Sequence, residues 1–312
     1  MSAQILSLCS GYGGLDIAVE QFYGAQTTYY CEIEPACLEV LAGRFPTALN
    51  VGSLEELKTG TIEADIITAG YPCQPFSLAG KRGGVFDDRH VWPIIRQVIS
   101  NVRPARVVLE NVSGHLTSGG TAVIGDLARM GYGVKWGTVR ASEAGAPHQR
   151  KRLFIVANAY GMGAGRDGHR ELFVKEDERE TEGEERQRVR ATSGYGNKAI
   201  TDTDGAAGTQ RNKRTKTGQP TPHRGNAKRC GLQDGWPWGQ YEQAIKRWEK
   251  VTRRAAPIPV DEGKLSALFV EWMMGLSEGW VTDIVDHRGR ALKMLGNGVV
   301  PQQAALALEH LG

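Results

Sequence analysis

Asp65-Ile66-Ile67-Thr68-Ala69-Gly70-Tyr71-Pro72-Cys73-Gln74-Pro75-Phe76-Ser77 sets an apolar run directly ahead of a cysteine bracketed by prolines. The run at 65–69 reads as a buried parallel strand, since it is near-continuously apolar and only five residues long. Pro72 and Pro75 fix the local backbone, so Cys73 is expected on a stiff loop above the carboxyl edge of a sheet. Open α/β sheets carry their chemistry at that edge. A Pro-Cys pair taken alone reads more plainly as a small buried thiol in a rigid turn. The residues on either side decide between the two.

Working outward, 5–10 reads as a strand and 14–22 as a helix after a glycine-rich turn. A strand at 27–33 and a helix at 35–44, with proline in its first turn, come next. Beyond the opening stretch lie a helix at 91–102 and strands at 106–110, 134–140 and 153–157. This alternation predicts an α/β fold built on a doubly wound, mostly parallel sheet. The rhythm stops after Asn158 and returns near Leu265, with helices expected at 265–274 and 301–311. The chain therefore divides into an α/β domain at 1–157, a variable region at 158–264, and a segment at 265–312 that rejoins the first domain.

With 312 residues, 40% apolar and 23% charged, the composition is that of a soluble globular protein. No apolar run approaches a membrane span, and the N-terminus lacks the pattern of a signal peptide. The five cysteines (9, 31, 37, 73 and 230) are odd in number and contain no C-x-x-C pair. That argues against a disulfide framework and a zinc cluster, and for a reducing cytoplasm. A net charge of +3 names no partner, but its distribution is informative. Residues 205–233 hold no acid, only Arg211, Lys213, Arg214, Lys216, Arg224, Lys228 and Arg229. Upstream, 171–190 mixes acids and bases with almost no apolar residue. The stretch 160–230 thus reads as an insertion, either a solvated linker or a basic arm tracking a phosphate backbone.

Four further groups bear on chemistry. The turn Ser10-Gly11-Tyr12-Gly13-Gly14 follows a strand and opens a helix, where glycines let backbone approach a ligand, though such a turn serves tight packing equally well. Glu32 ends the second strand, placed to accept from ribose hydroxyls, and Asp65 begins the third, placed to accept from an adenine amino group. Glu110 closes the apolar strand Val107-Val108-Leu109, where burying a carboxylate is costly without a purpose or partner. Arg150 and Arg152 precede Leu153-Phe154-Ile155-Val156, and alternation on a strand sets their guanidiniums side by side.

In this order, the glycine turn, Glu32, Asp65, Pro72-Cys73-Gln74, Glu110-Asn111-Val112, Arg150-x-Arg152 and Gly296-Asn297-Gly298 resemble the DNA cytosine-5 methyltransferase family. The resemblance covers 4–157 and about 264–311, and includes Val270-Glu271-Trp272-Met273-Met274-Gly275-Leu276. It implies a Rossmann-like catalytic domain using S-adenosyl-L-methionine, with 158–264 as target-recognition region. Cys73 would add to cytosine C6, Glu110 would bond N3 and the exocyclic amine, and Arg152 with Arg150 would hold O2 and the active-site loop. The cofactor would lie against Ser10, Gly11, Tyr12, Gly13, Gly14, Leu15, Glu32, Ile33, Asp65, Ile66, Pro72 and Asn297, and the substrate against Gln74, Ser77 and Asn111.

The implied partner is double-stranded DNA, bound by a cytoplasmic monomer with neither membrane nor metal, in the setting of restriction-modification. Methyl transfer to RNA cytosine, or silent DNA binding, are the competing readings; the intact Cys73, Glu110, Arg150 and Arg152 argue against silence. Three positions depart from the family pattern. Cys9 stands where a phenylalanine usually stacks on adenine, His148 replaces a glutamine, and Gly298 replaces a serine.

Overall fold

The computed structural model describes residues 2–72, 91–160 and 236–312. All of these fall in one of the two compact units into which the chain divides, 1–173 with 232–312. Cys73, Gln74, Ser77, Cys230 and the basic stretch 205–233 lie outside the described residues.

The chain enters on β1 (Gln4–Leu8), turns through glycines into α1 (Gly14–Tyr23), and continues through β2 (Gln26–Cys31), α2 (Pro35–Arg44) and the two-residue β3 (Leu49–Asn50). Then come β4 (Ile66–Ala69), α3 (Val91–Val102), β5 (Arg106–Val112), α4 (Gly120–Arg129), β6 (Tyr132–Arg140) and β7 (Lys151–Ala159). The C-terminal part holds α5 (Glu242–Thr252), the hairpin β8 (Val260–Asp261) and β9 (Lys264–Leu265), then α6 (Ala267–Met273), α7 (Arg288–Asn297) and α8 (Pro301–Leu311). Among the described residues the main sheet has seven strands in the order β3-β2-β1-β4-β5-β7-β6. β1 to β5 run parallel, while β7 runs antiparallel to β5 and to β6.

Period-two alternation sorts the strand side chains to two covered faces. Leu6, Leu8, Ile67, Val107, Leu109 and Ile155 pack against Ile95, Val98 and Ile99 of α3 and Val123 and Leu127 of α4. On the other face Ile5, Ile66, Val108, Phe154 and Val156 meet Leu15, Ala18 and Val19 of α1 and Ala304, Ala307 and Leu308 of α8. A third cluster joins Ile245 and Trp248 of α5 to Phe269 and Trp272 of α6. Trp248 Nε1 donates to Trp272 O at 2.9 Å.

Local sequence sets the helix ends. Gly13, with φ 81, opens α1, and Gly24, with φ 64, closes it by donating its N–H to Glu20 O. Pro35 and Pro301 occupy the first turns of α2 and α8. Ser266 Oγ caps α6 by accepting from Phe269 N at 3.3 Å. No helix among the described residues is long and apolar enough to cross a membrane.

Candidate active site

The strand register explains where polar chemistry gathers. On the face toward α1, each apolar column ends in a polar side chain at the same edge of the sheet: Ser7 on β1, Thr68 on β4, Glu110 on β5 and Arg152 on β7. Ser7 pairs with Thr68 across β1 and β4, and Glu110 pairs with Phe154, two residues beyond Arg152. Together they form one row at the carboxyl edge of the parallel strands. The row opens into a cleft of about 1150 Å³ whose lining includes all four.

Glu110 is 7% exposed. Its Oε1 lies 2.9 Å from Arg152 Nε. Burial pushes the Glu110 carboxyl up to about 7, against the opposing pull of Arg152 and Arg150. A carboxyl so poised can accept or donate a proton near neutrality. Next to it Asn111 is buried, and its Nδ2 donates to Tyr71 O at 3.0 Å. That bond ties the end of β5 to the residues after β4. Tyr71 Oη and His115 Nε2 stand 2.9 Å apart beneath the same segment. Pro72, the sequence neighbour of Cys73, lines the cleft.

The far end of the cleft is made by the glycine turn and the end of β2. Ser10, Gly11, Gly14 and Leu15 line it, with Glu32, Ile33 and Glu34. A Cβ at Gly11, where φ is +57, would meet nothing within 4 Å, so the turn presents open backbone. The Glu32 carboxylate accepts from Gly11 N and Ile33 N at 2.8 Å and from Glu34 N at 3.0 Å, so three backbone groups fix its direction. His287, Arg290, Lys293, Gly296, Asn297 and Gly298 close the cleft from the C-terminal part of the chain.

Several expected site residues stand elsewhere. Asp65 lies at the opposite, amino end of β4, where its Oδ2 accepts from Gln4 N at 2.8 Å, and it does not line the cleft. A four-residue strand separates it from the chemical edge. Ile66 is buried in the core under α1 and α8. Tyr12 is fully buried behind the turn, with Oη donating to Val299 O at 2.6 Å, and Gly13 backs onto the Phe45 ring. Arg150 precedes β7 and has φ +30, so strand alternation does not reach it. Its Nη1 donates to Gly296 O at 3.0 Å and its Nη2 to Gly298 O, clamping the turn that carries Asn297. Behind it Gln303, with no exposed surface, donates from Nε2 to Arg150 O and Val139 O, both at 2.7 Å.

Other cleft residues, Cys9 apart, carry no sequence signal strong enough to single them out. Ser53 and Leu54 follow β3 and line the cleft where Asp65 was expected to. Asp16 lines its floor. Cys9, Cys31 and Cys37 also line it, and burial pushes each thiol up to about 12. His148 sits outside it, with Nε2 3.0 Å from Met273 O. Among the described residues no group of three or more His, Cys, Asp or Glu side chains could hold a metal.

The profile of C-5 cytosine-specific DNA methylases matches residues 3–311. A type II methyltransferase of Neisseria gonorrhoeae, M.NgoBV, is 32% identical over 173 residues, 50% of this chain and 41% of that protein. The chain thus spans less than half the length of that relative. M.AquIA of Picosynechococcus sp. is 32% identical over 184 residues, 52% of this chain and 74% of that protein. The solved structure of S. pombe Dnmt2 methyltransferase superposes with a TM-score of 0.55 at 17% identity, covering 99% of both chains. That likeness is one of fold.

Proposed function

Because the chain belongs to the C-5 cytosine-specific DNA methylase family, we propose that it transfers a methyl group from S-adenosylmethionine to C5 of a cytosine turned out of duplex DNA. The observation that carries this reading is the buried Glu110–Arg152 pair, 2.9 Å apart, in the same cleft as the glycine turn and Glu32. One end offers a proton-exchanging carboxyl beside a fixed cation. The other offers open backbone and an acid aimed by three N–H groups.

S-adenosylmethionine fits the residues present. The Gly11 turn leaves room for close approach, Glu32 can accept from ribose hydroxyls, and Asn297 lines the same cleft. Bound there, the cofactor supplies an electrophilic methyl group. Cytosine C5 is a poor nucleophile until a thiolate adds to C6, which turns the ring into an enamine. Cys73, next in sequence to Pro72 at the cleft wall, is the thiol for that step in this reading; once C5 carries the methyl group, loss of the C5 proton breaks the Cys73–C6 bond and frees the thiol. The Glu110 carboxyl meets N3 as charge develops there, and the Arg152 guanidinium meets O2. Arg150 acts through the turn it clamps rather than on the base. The ring must leave the stack, since C6 is inaccessible inside a duplex. Gln74, Ser77 and Asn111 flank the extruded nucleotide, and residues 158–264 carry the sequence preference. A cytoplasmic setting completes the reading.

DNA carrying 5-fluorocytosine tests it. With S-adenosylmethionine present, the wild-type protein should give a complex that survives denaturation, and Cys73→Ala should not. Trapping that persists in the alanine variant, or trapping of RNA in place of DNA, defeats the proposal.

A further inference from the structure

Two buried carboxyl groups meet at the row on the sheet edge, Glu110 within it and Asp16 bonded to it from α1, and they differ in one respect. Glu110 has a guanidinium beside it. Asp16, in the first turn of α1 and 1% exposed, has none. Its Oδ2 accepts from Ser7 Oγ at 2.7 Å and its Oδ1 from Thr68 Oγ1, so it spans β1 and β4 at the cleft floor. Among the described residues no cation pairs with it. The charge that bears on it is that of Glu20, on its own helix; the cleft lining also holds Glu32 and Glu110, with Arg152, Arg290 and Lys293, none of them bonded to it. Two hydroxyls satisfy hydrogen bonding without neutralising charge, and a buried carboxylate without a counter-ion is costly. Sewing a helix to a sheet needs no ionisable group at all.

We propose that Asp16 is a ligand-binding residue, the counter-ion for a cationic group of the molecule that occupies the cleft. Resting on the reading of S-adenosylmethionine as cofactor, the group is its α-ammonium or its sulfonium, the two cations of the methionyl part. Asp16 spans β1 and β4, which lie between β2, ending near Glu32, and β5, carrying Glu110, and that is the stretch the methionyl part must cross. The Asp16 carboxyl is pushed up to about 6 by burial, with Thr68 and Ser7 pulling the other way. A ligand cation favours the ionised form, so binding should release a proton and tighten as pH rises through about 6.

Calorimetry without DNA separates the possibilities. S-adenosylmethionine carries both cations, S-adenosylhomocysteine only the ammonium, and 5′-methylthioadenosine neither. Asp16→Asn should weaken the first two by about ten- to a hundredfold and leave the third unchanged, if the ammonium is the partner. Loss confined to S-adenosylmethionine assigns the sulfonium and equally supports the proposal. Equal affinities in the variant, or parallel loss of all three ligands, overturn it. Should the variant not fold, the wild type decides: S-adenosylmethionine binding must strengthen through about pH 6 while methylthioadenosine binding stays flat. The same slope for both ligands overturns it too. The Glu110→Gln protein, run in parallel, separates that slope from the carboxyl near 7. Wild-type protein that binds none of these nucleosides refutes the cofactor reading itself.

Discussion

Tyr12 and Gly298 occupy one space: a Cβ at residue 298 would overlap the Tyr12 ring, whose hydroxyl donates to Val299 O at 2.6 Å. The glycine turn near the start of the fold and the turn near its end are thus fitted to each other. The backbone at Gly298, with φ −79, is open to any residue, so only the ring forbids a side chain there. The departure from serine at this position is explained by its partner. Gly298→Ser should cost about 1–3 kcal/mol in urea denaturation, as overpacking does. Adding Tyr12→Leu should recover part of that loss, with a favourable coupling of at least about 0.5 kcal/mol. Simple additivity would show that the ring is not the obstacle.

Arg150 should behave as a clamp. Arg150→Lys keeps the charge but cannot fork to Gly296 O and Gly298 O together. Expected are a stability loss of about 1–3 kcal/mol and weaker S-adenosylmethionine binding, with covalent trapping of DNA retained. Loss of trapping with normal cofactor affinity would instead assign Arg150 to the base.

Glu110 should leave its mark on pH dependence. Its folded carboxyl titrates at about 7 and its ordinary value is 4.5. In the proposed role the protonated Glu110 carboxyl bonds N3, so single-turnover methyl transfer should fall as pH rises through about 7. Glu110→Gln should be slower by about 10²–10⁴ and lack that falling limb. Between pH 4.5 and about 7 the folded protein keeps a proton that the unfolded chain has lost, so stability should fall with rising pH across that window. The glutamine variant should show a smaller slope there. An identical falling limb in both proteins rules out the role.

Asp65→Asn should leave S-adenosylmethionine affinity within about twofold, a shift below 0.5 kcal/mol. The residue bonds Gln4 N at the amino end of β4, away from the cleft. A large loss of affinity would restore it to the cofactor site.

The sheet and the Glu110 end of the cleft were legible because they are written in continuous apolar strands that stop at a polar residue. β3 was not, since two exposed residues carry no periodicity, and with it went Ser53 and Leu54. Asp65 was rightly read as opening its strand, but the first residue of a parallel strand stands at the edge away from the cleft. Asp16 resembles any acid in a first helical turn, and only its neighbours Ser7 and Thr68 distinguish it. The Arg150–Arg152 pair followed strand alternation on paper, but the positive φ at Arg150 turns its side chain toward the C-terminal turn.

The three thiols in the cleft wall have a practical consequence for chemical probes. Cys9, Cys31 and Cys37 line the space a nucleoside would fill, and each is pushed up to about 12. At neutral pH they remain protonated and poor nucleophiles. A nucleoside-borne alkylating agent should therefore meet an unreactive sulfur lining among the described residues.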